Sequence, residues 1–288
     1  MTITNADTKG LIQIPEDSAI SGCSAITLVA DYHADPAISA SHLHAVAKSP
    51  QHYWARYLNP DRPVAEPTAA MRFGSLVHTA VLEPNELLRR YGAAPDRRTK
   101  AGKETAEQMS QQGLEPVSVA DMALALSMAA SVRKHPCAGA LLDAGKAEQS
   151  FWWDDLDTGL RCKCRPDWYY GSTVVDLKTT ADASPSGFAR SVAAYRYHVQ
   201  AAHYLSGLFG AERFVFIAVE KTYPYAVGVY ELDDAAMDEG YSLRHRDMRR
   251  IQSCHASTRW PGYTDDGINT LSLPRWAFND GSITPEDF

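Results

Sequence analysis

The chain has 288 residues, 45% hydrophobic and 22% charged, with a formal net charge of −7. Such a balance suits a globular protein of one large domain with appendages, and no repeat or low-complexity block interrupts it. No run is apolar for long enough to span a bilayer, and "MTITNADTKG" lacks the basic and apolar regions of a secretory leader, so a cytoplasmic protein without a membrane role is expected.

Residues 1–30 read as an N-terminal arm, and the polar, irregular character persists to about residue 38. "ISASHLHAVAKSPQHYWARYL" then predicts a helix capped by Ser39 or Ser41, broken at Pro50 and followed by a second carrying Tyr53, Trp54 and Tyr57. A proline-rich loop (59–68) leads to "AAMRFGSLVHTAVLEP", whose apolar spacing predicts a helix ending at Pro84. Residues 93–117 are polar and predict loop plus a short helix. Ser118 and Asp121 form a capping box for a helix reaching about His135.

The pattern then changes to strands. "EQSFWWDDLDTGLRCKCRPDWYY" predicts two strands joined by a turn at "DLDTG", and "STVVDLKTT" a third, short and β-branched. Ser184 and Pro185 start a long helix running to about Phe209. "RFVFIAVEK" and "AVGVYEL" predict a hairpin around "TYPY", and a last helix spans about 233–253 before a turn-rich tail, 266–288. The order predicts an α/β (α+β) domain with a central mixed sheet flanked by helices.

Five cysteines, odd in number and irregularly spaced, argue against a disulfide framework; Cys162 and Cys164 would share one strand face as small buried side chains. The acidic total does not suggest nucleic acid, yet "RRTKAGK" (97–103), "RHRDMRR" (244–250) and the alternating Arg161, Lys163 and Arg165 are local basic clusters. Each by itself reads first as a solvated face, and otherwise as phosphate contacts whose neutralisation would flatten a salt dependence.

Asp167 and Asp176 fall on adjacent strands, about 4.8 Å apart, so their carboxylates can converge on one hard divalent ion. Lys178 would share the Asp176 face, able to orient a water or stabilise phosphate charge, while Leu177 points to the core and its carbonyl could add a ligand. D-x-K alone is common and usually solvated, but Val174 and Val175 predict a buried strand, where unpaired charge is costly.

"RPDW…VVDLKTT" resembles the Asp…(Asp/Glu)-x-Lys motif of the PD-(D/E)XK nucleases, and more specifically their RecE-type exonuclease VIII branch of phages and prophages. "DYHADPAISASHL" (31–43) with "KSPQHYWARYL", "FGSLVHTAVLEP" (73–84), "AYRYHVQAAHYLSGL" (194–208) and "RWPGY" (259–263) are similar to further segments of that branch, in the same order. The resemblance implies a restriction-endonuclease-like core over 31–265. It implies His78 as a metal ligand on a helix that Gly74 lets approach closely, Asp167 and Asp176 as metal-binding acids, and Lys178 as catalytic lysine. Glu148 would be an additional acid, or else an exposed strand-entry residue. Gln200 and Tyr204, four apart on one helix face, would meet DNA or simply pack. Arg165 and Thr179 are further candidate substrate contacts. One departure is Asp176 where many superfamily members have Glu.

The implied activity is an exodeoxyribonuclease requiring Mg2+, with Mn2+ able to substitute, that degrades one strand of linear duplex DNA 5′ to 3′ and leaves 3′ single-stranded tails. A homo-oligomeric ring and a single-strand annealing partner of the RecT type are also implied. The alternatives are an endonuclease, an iron–sulfur processing nuclease of the same superfamily, or a silent DNA-binding protein on a nuclease fold.

Overall fold

A computed structural model describes residues 29–63, 66–96, 98–265, 267–274 and 277. Most of the expected N-terminal arm and tail, together with Cys23 and Arg97, lie outside the described residues.

The helices are α1 (Val29–Ala34), α2 (Ala40–Lys48), α3 (Pro50–Tyr53), α4 (Ala69–Leu82), α5 (Leu87–Arg90), α6 (Lys100–Gln111), α7 (Val119–Lys134), α8 (Pro136–Leu141), α9 (Pro185–Tyr195), α10 (Tyr197–Gly207) and α11 (Asp234–Ser257). The strands are β1 (Tyr91–Ala94), β2 (Glu115–Ser118), β3 (Lys146–Ala147), β4 (Phe151–Asp154), β5 (Arg161–Cys164), β6 (Trp168–Tyr170), β7 (Thr173–Thr180), β8 (Arg213–Glu220) and β9 (Val227–Glu231). A π-helical turn, Trp54–Leu58, continues α3.

The central sheet is mixed, in the order β3-β6-β7-β8-β9, with β7 and β8 parallel and the other pairs antiparallel. Alternation along β7 divides its side chains between two layers. Val175 and Leu177 pack with Val215, Ile217 and Val219 against α4 and α7, through Val77, Val81, Ala125 and Met128. Val174 faces the opposite layer, with Phe188 of α9, Ala201 and Tyr204 of α10, and Phe216. The α/β class and central mixed sheet are therefore those expected from the sequence.

Several expectations need correction. The "RCKCRPDWYY" run is not one strand: β5 pairs with β4 and bridges Ile38 through Cys162, and Arg165–Pro166–Asp167 turns the chain into β6, which joins the central sheet. The polar stretch 93–117 holds the three-turn α6 between two parallel strands, β1 and β2. The helix expected to run from Ser184 to Phe209 is two helices, broken at Arg196, whose φ of 58° is left-handed. Gly74 has open space around it, since a Cβ there would meet nothing within 4 Å, so close helix approach is not its role.

The basic clusters also read differently in three dimensions. Lys163 is 2% exposed; its ammonium donates to the Tyr32 and Asp35 carbonyls and lies 4.5 Å from the Tyr32 ring. In the 244–250 cluster, Arg244 is buried and reaches Asp155 at 2.5 Å, while the fully buried Asp247 holds Arg196 at 2.5 Å and Arg246 at 2.9 Å. These cations hold the fold together and are not free for phosphate.

His203 of α10 is fully buried, its Nε2 3.2 Å from the carbonyls of Ile38 and Lys163. Burial, and secondarily the Arg244 charge, push its pKa down to about 3. A histidine neutral when folded but protonated when unfolded loses stability as pH falls below its unfolded value. The urea midpoint should therefore drop by the equivalent of roughly 1.4 kcal/mol per pH unit between 6.5 and about 3. A His203→Gln protein measured alongside should show a shallower acid limb.

Candidate metal and nuclease site

The site forms where the ladder between β6 and β7 stops. Their register runs Tyr170↔Thr173, Tyr169↔Val174, Trp168↔Val175, and ends there. Past that point the Leu177 N–H has no backbone acceptor from β6; it donates instead to Asp167 Oδ2 at 2.7 Å. A strand residue points its N–H and C=O to the same edge, so the Leu177 carbonyl faces the same gap while its side chain is buried in the core.

Into this gap come groups from both layers. α4 supplies His78, whose Nδ1 lies 3.6 Å from Asp167 Oδ2. The bend between β3 and β4 supplies Glu148, held in a left-handed backbone conformation (φ 55°) with its N–H on the Asp167 carbonyl at 3.2 Å. Such a conformation is uncommon for glutamate and costs on the order of 1–3 kcal/mol, the kind of strain that collects at functional sites. Ligand atoms of His78, Glu148 and Asp167 all lie within 4.8 Å of one another. Glu148 thus follows the first strand of the central sheet as a half-buried acid turned toward Asp167 and His78, and is not an exposed strand-entry residue.

Asp176 and Lys178 face the other layer. Asp176 is 1% exposed; its Oδ1 accepts from Gln200 Nε2 at 2.6 Å, and Lys178 Nζ lies 2.6 Å from Oδ2. That last contact is an ion pair without directed hydrogen-bond geometry, which leaves a buried carboxylate oxygen with acceptor capacity to spare. Gln200 Oε1 accepts from Lys178 Nζ at 3.1 Å, so one amide holds both charges, and Tyr197 lies under the ammonium at 4.5 Å. Asp176 therefore sits beside the trio of His78, Glu148 and Asp167 in this structure, turned toward the lysine.

The electrostatics follow from crowding. Burial, then the neighbouring Asp176 charge, raise the Asp167 carboxyl well above the usual carboxylate range. Burial and the Lys178 ammonium push His78 down, keeping its imidazole neutral and its lone pair available. Burial works against charge on Lys178, but Asp176 and Asp167 outweigh it and its pKa is raised. Two carboxylates, a neutral imidazole and a backbone carbonyl, with the Asp176 carboxylate alongside, are a donor set suited to a hard divalent cation such as Mg2+ or Mn2+. A cation here would offset the burial and the repulsion that now drive Asp167 toward protonation, so the residues present fit the ion.

The other expected contacts are placed as follows. Arg165 is nearly buried and donates to Glu148 Oε2 and Ser150 Oγ, both at 2.7 Å, so it positions the acid. Tyr204 is buried, its hydroxyl 3.4 Å from the Arg165 carbonyl, which supports the packing alternative. Thr179 is half-buried and lines a cleft at the end of β7 with Tyr195 and Lys221. Ser150 is not singled out by the sequence, and Tyr197 figures there only as a packing residue beside Tyr204. Tyr197 had a readable signal, since it lies three residues before Gln200 and so on the same helix face. Gln200→Ala should remove about 1.5–3 kcal/mol of stability, because two buried charges lose their shared partner, and this should show as a lower urea midpoint.

Among the described residues, His78, Glu148 and Asp167 are the one group of three or more His, Cys, Asp or Glu side chains close enough to share an ion, so there is no four-cysteine cluster there. Cys162 and Cys164 are buried on one face of β5, as expected. No helix of the described residues is long and apolar enough to cross a membrane.

No curated protein matches the chain. A crystal structure described as a "Putative exonuclease", from Eubacterium rectale, superposes with a TM-score of 0.59 at 14% identity, over 94% of this chain and 99% of that one. That likeness shows a shared fold. A phage-related exonuclease from Haemophilus somnus is a more distant match, with a TM-score of 0.35 at 10% identity over 77% of this chain and 96% of that one. Residues 39–269 match the family described as a PDDEXK-like domain of unknown function (DUF3799). With most of its length in that match and the acids and lysine of the motif gathered at one sheet edge, the chain belongs to this PDDEXK-like family.

Proposed function

We propose that the chain is a divalent-metal-dependent exodeoxyribonuclease. The observation that carries this reading is the convergence of His78, Glu148 and Asp167 within 4.8 Å of one another, beside the Asp176–Lys178 pair at 2.6 Å. His78, Glu148, Asp167, Asp176 and the Leu177 carbonyl would hold the ion. When bound, a divalent ion supplies Lewis-acid polarisation of a phosphodiester and a water acidic enough to attack it. The remaining work falls to the chain. Lys178, held charged by its carboxylate neighbours, is a fixed cation for the negative charge that develops on phosphate. Gln200 fixes the ammonium, and Tyr197 covers its other side. Arg165 aims Glu148.

The finer reading is a 5′-to-3′ enzyme on linear duplex ends, acting as a homo-oligomeric ring and preparing 3′ tails for an annealing partner of the RecT type. It rests on resemblance to the RecE branch. Duplex DNA labelled at the 5′ or the 3′ end of one strand tests it. Early release of the 5′ label with Mg2+ is expected; early release of the 3′ label reverses the polarity, and nicking of closed circles favours an endonuclease.

A further inference from the structure

A groove of about 770 Å3 opens against the Gln200 side of the site. Gln200 and Tyr197, which hold and cover Lys178, also line it, so groove and site are continuous. Its far wall is the end of α3 and the π-helical turn, carrying Arg56, Tyr57 and, in the loop beyond, Arg62. In a chain of net charge −7, this lining is unusual in sign. Arg56 and Arg62 are exposed and have no carboxylate partner among the described residues; Arg56 stacks near Tyr57 and Arg62 reaches only the Asn59 carbonyl. The carboxylate in the lining, Asp35, is occupied by the Ala37 N–H.

At the junction with the site stands Tyr195, 61% exposed. Its place there is built. The left-handed break at Arg196 ends α9, and the buried Asp247 clamps that break through the Arg196 guanidinium. Tyr195 stacks on Tyr197 at 5.5 Å, leaving an aromatic face toward solvent at the groove mouth. The Asp176 side chain is 2% exposed and that of Lys178 18% exposed, so a reacting phosphate must be brought to recessed atoms. A cavity of ligand size accommodates a short segment of one strand.

We propose that this groove is a track for a single nucleic-acid strand, with Arg56 and Arg62 on its phosphates and Tyr195 stacked against a base. The proposal rests on the nuclease reading and adds the strand form and the contacts. Unpaired guanidiniums interleaved with open aromatic faces bind single strands without demanding a sequence.

Fluorescence anisotropy of a labelled single-stranded oligonucleotide tests it, in EDTA and again with Ca2+, against a blunt duplex of the same sequence. Wild type should bind the single strand, and the groove variants should lose affinity for it more than for the blunt duplex. Arg56→Ala/Arg62→Ala should reduce the slope of log K against log salt by about 1.4, two phosphate contacts at about 0.7 each. Tyr195→Ala should bind about tenfold more weakly and Tyr195→Trp about as well as wild type. All three positions are exposed, so an unchanged thermal midpoint certifies folding. Wild type that binds single strands while the Arg and Tyr195→Ala variants match it in affinity and slope overturns the groove and leaves the nuclease reading standing. Equal loss of affinity for the single strand and the blunt duplex in the variants also overturns the groove. No binding of either nucleic acid by wild type, with or without Ca2+, overturns both.

Discussion

Without metal, the Asp167→Asn protein should melt at a higher temperature than the wild type at pH 8; with Mg2+ it should release nucleotides from DNA about a hundred- to a thousandfold more slowly. The first half follows from linkage. Burial and the nearby Asp176 raise the Asp167 pKa in the folded state, so the folded protein binds this proton more tightly than the unfolded chain does. Its contribution to stability therefore falls as pH climbs from the unfolded value of about 3.9 through the folded one, and the penalty is complete above both. An amide cannot ionise, and its oxygen can still accept the Leu177 N–H. A gain of about 0.5–2 kcal/mol is the size usually recovered when a functional charge is removed from an unfavourable setting. The second half follows from the proposed role of this carboxylate as a metal ligand; deleting one electrostatic element of an active site commonly costs two to three orders of magnitude. Saturating Mg2+ should erase the difference in melting, because it stabilises only the protein that binds it. A lower midpoint for Asp167→Asn without metal would mean that this carboxylate is a structural acceptor.

Asp247→Ala should destabilise the fold by about 3–5 kcal/mol, read as a large fall in the urea midpoint. Asp247 is fully buried and holds Arg196 at 2.5 Å and Arg246 at 2.9 Å. Its removal strands the Arg196 guanidinium, whose side chain is 15% exposed, in a poorly hydrated setting. Arg196 also supplies the left-handed joint between α9 and α10, and Tyr197 and Gln200 follow that joint directly. Activity should therefore fall together with stability. Arg249→Ala, which alters an exposed residue of the same basic run, should change the midpoint by no more than about 0.5 kcal/mol. Equal effects at the two positions would contradict the division of this cluster into buried and surface charges.

The sequence was legible where periodicity and capping agree. Ser118 with Asp121 and the β-branched run "STVVDLKTT" each yielded the element expected, and Ser184 with Pro185 marked the start of a helix, though not its end. It was less legible where tertiary contacts override local preference. Nothing local ends a helix at Arg196; its left-handed backbone is held by Asp247, 51 residues away in the chain. The short β1, β2 and β3 have two to four residues each, too few for alternation to show. The side-chain set of the site was readable, yet its partition was not. Strand spacing alone placed Asp167 and Asp176 on one ion, whereas the end of the β6 ladder sends Asp167 toward His78 and Glu148 and leaves Asp176 with Lys178 and Gln200. Basic runs misled because charge in sequence says nothing of burial: Lys163 and Arg244 are spent on carbonyls and on Asp155 inside the fold.

The most direct measurement of the central claim is nucleotide release from linear duplex DNA by the wild type and by Asp167→Asn, purified in parallel and assayed with Mg2+ and with excess chelator. Release by the wild type with Mg2+, and none by the variant or in chelator, is the predicted result. Equal release by both proteins, or none by the wild type from any DNA end, would contradict the assignment of this sheet edge as a metal-dependent nuclease site.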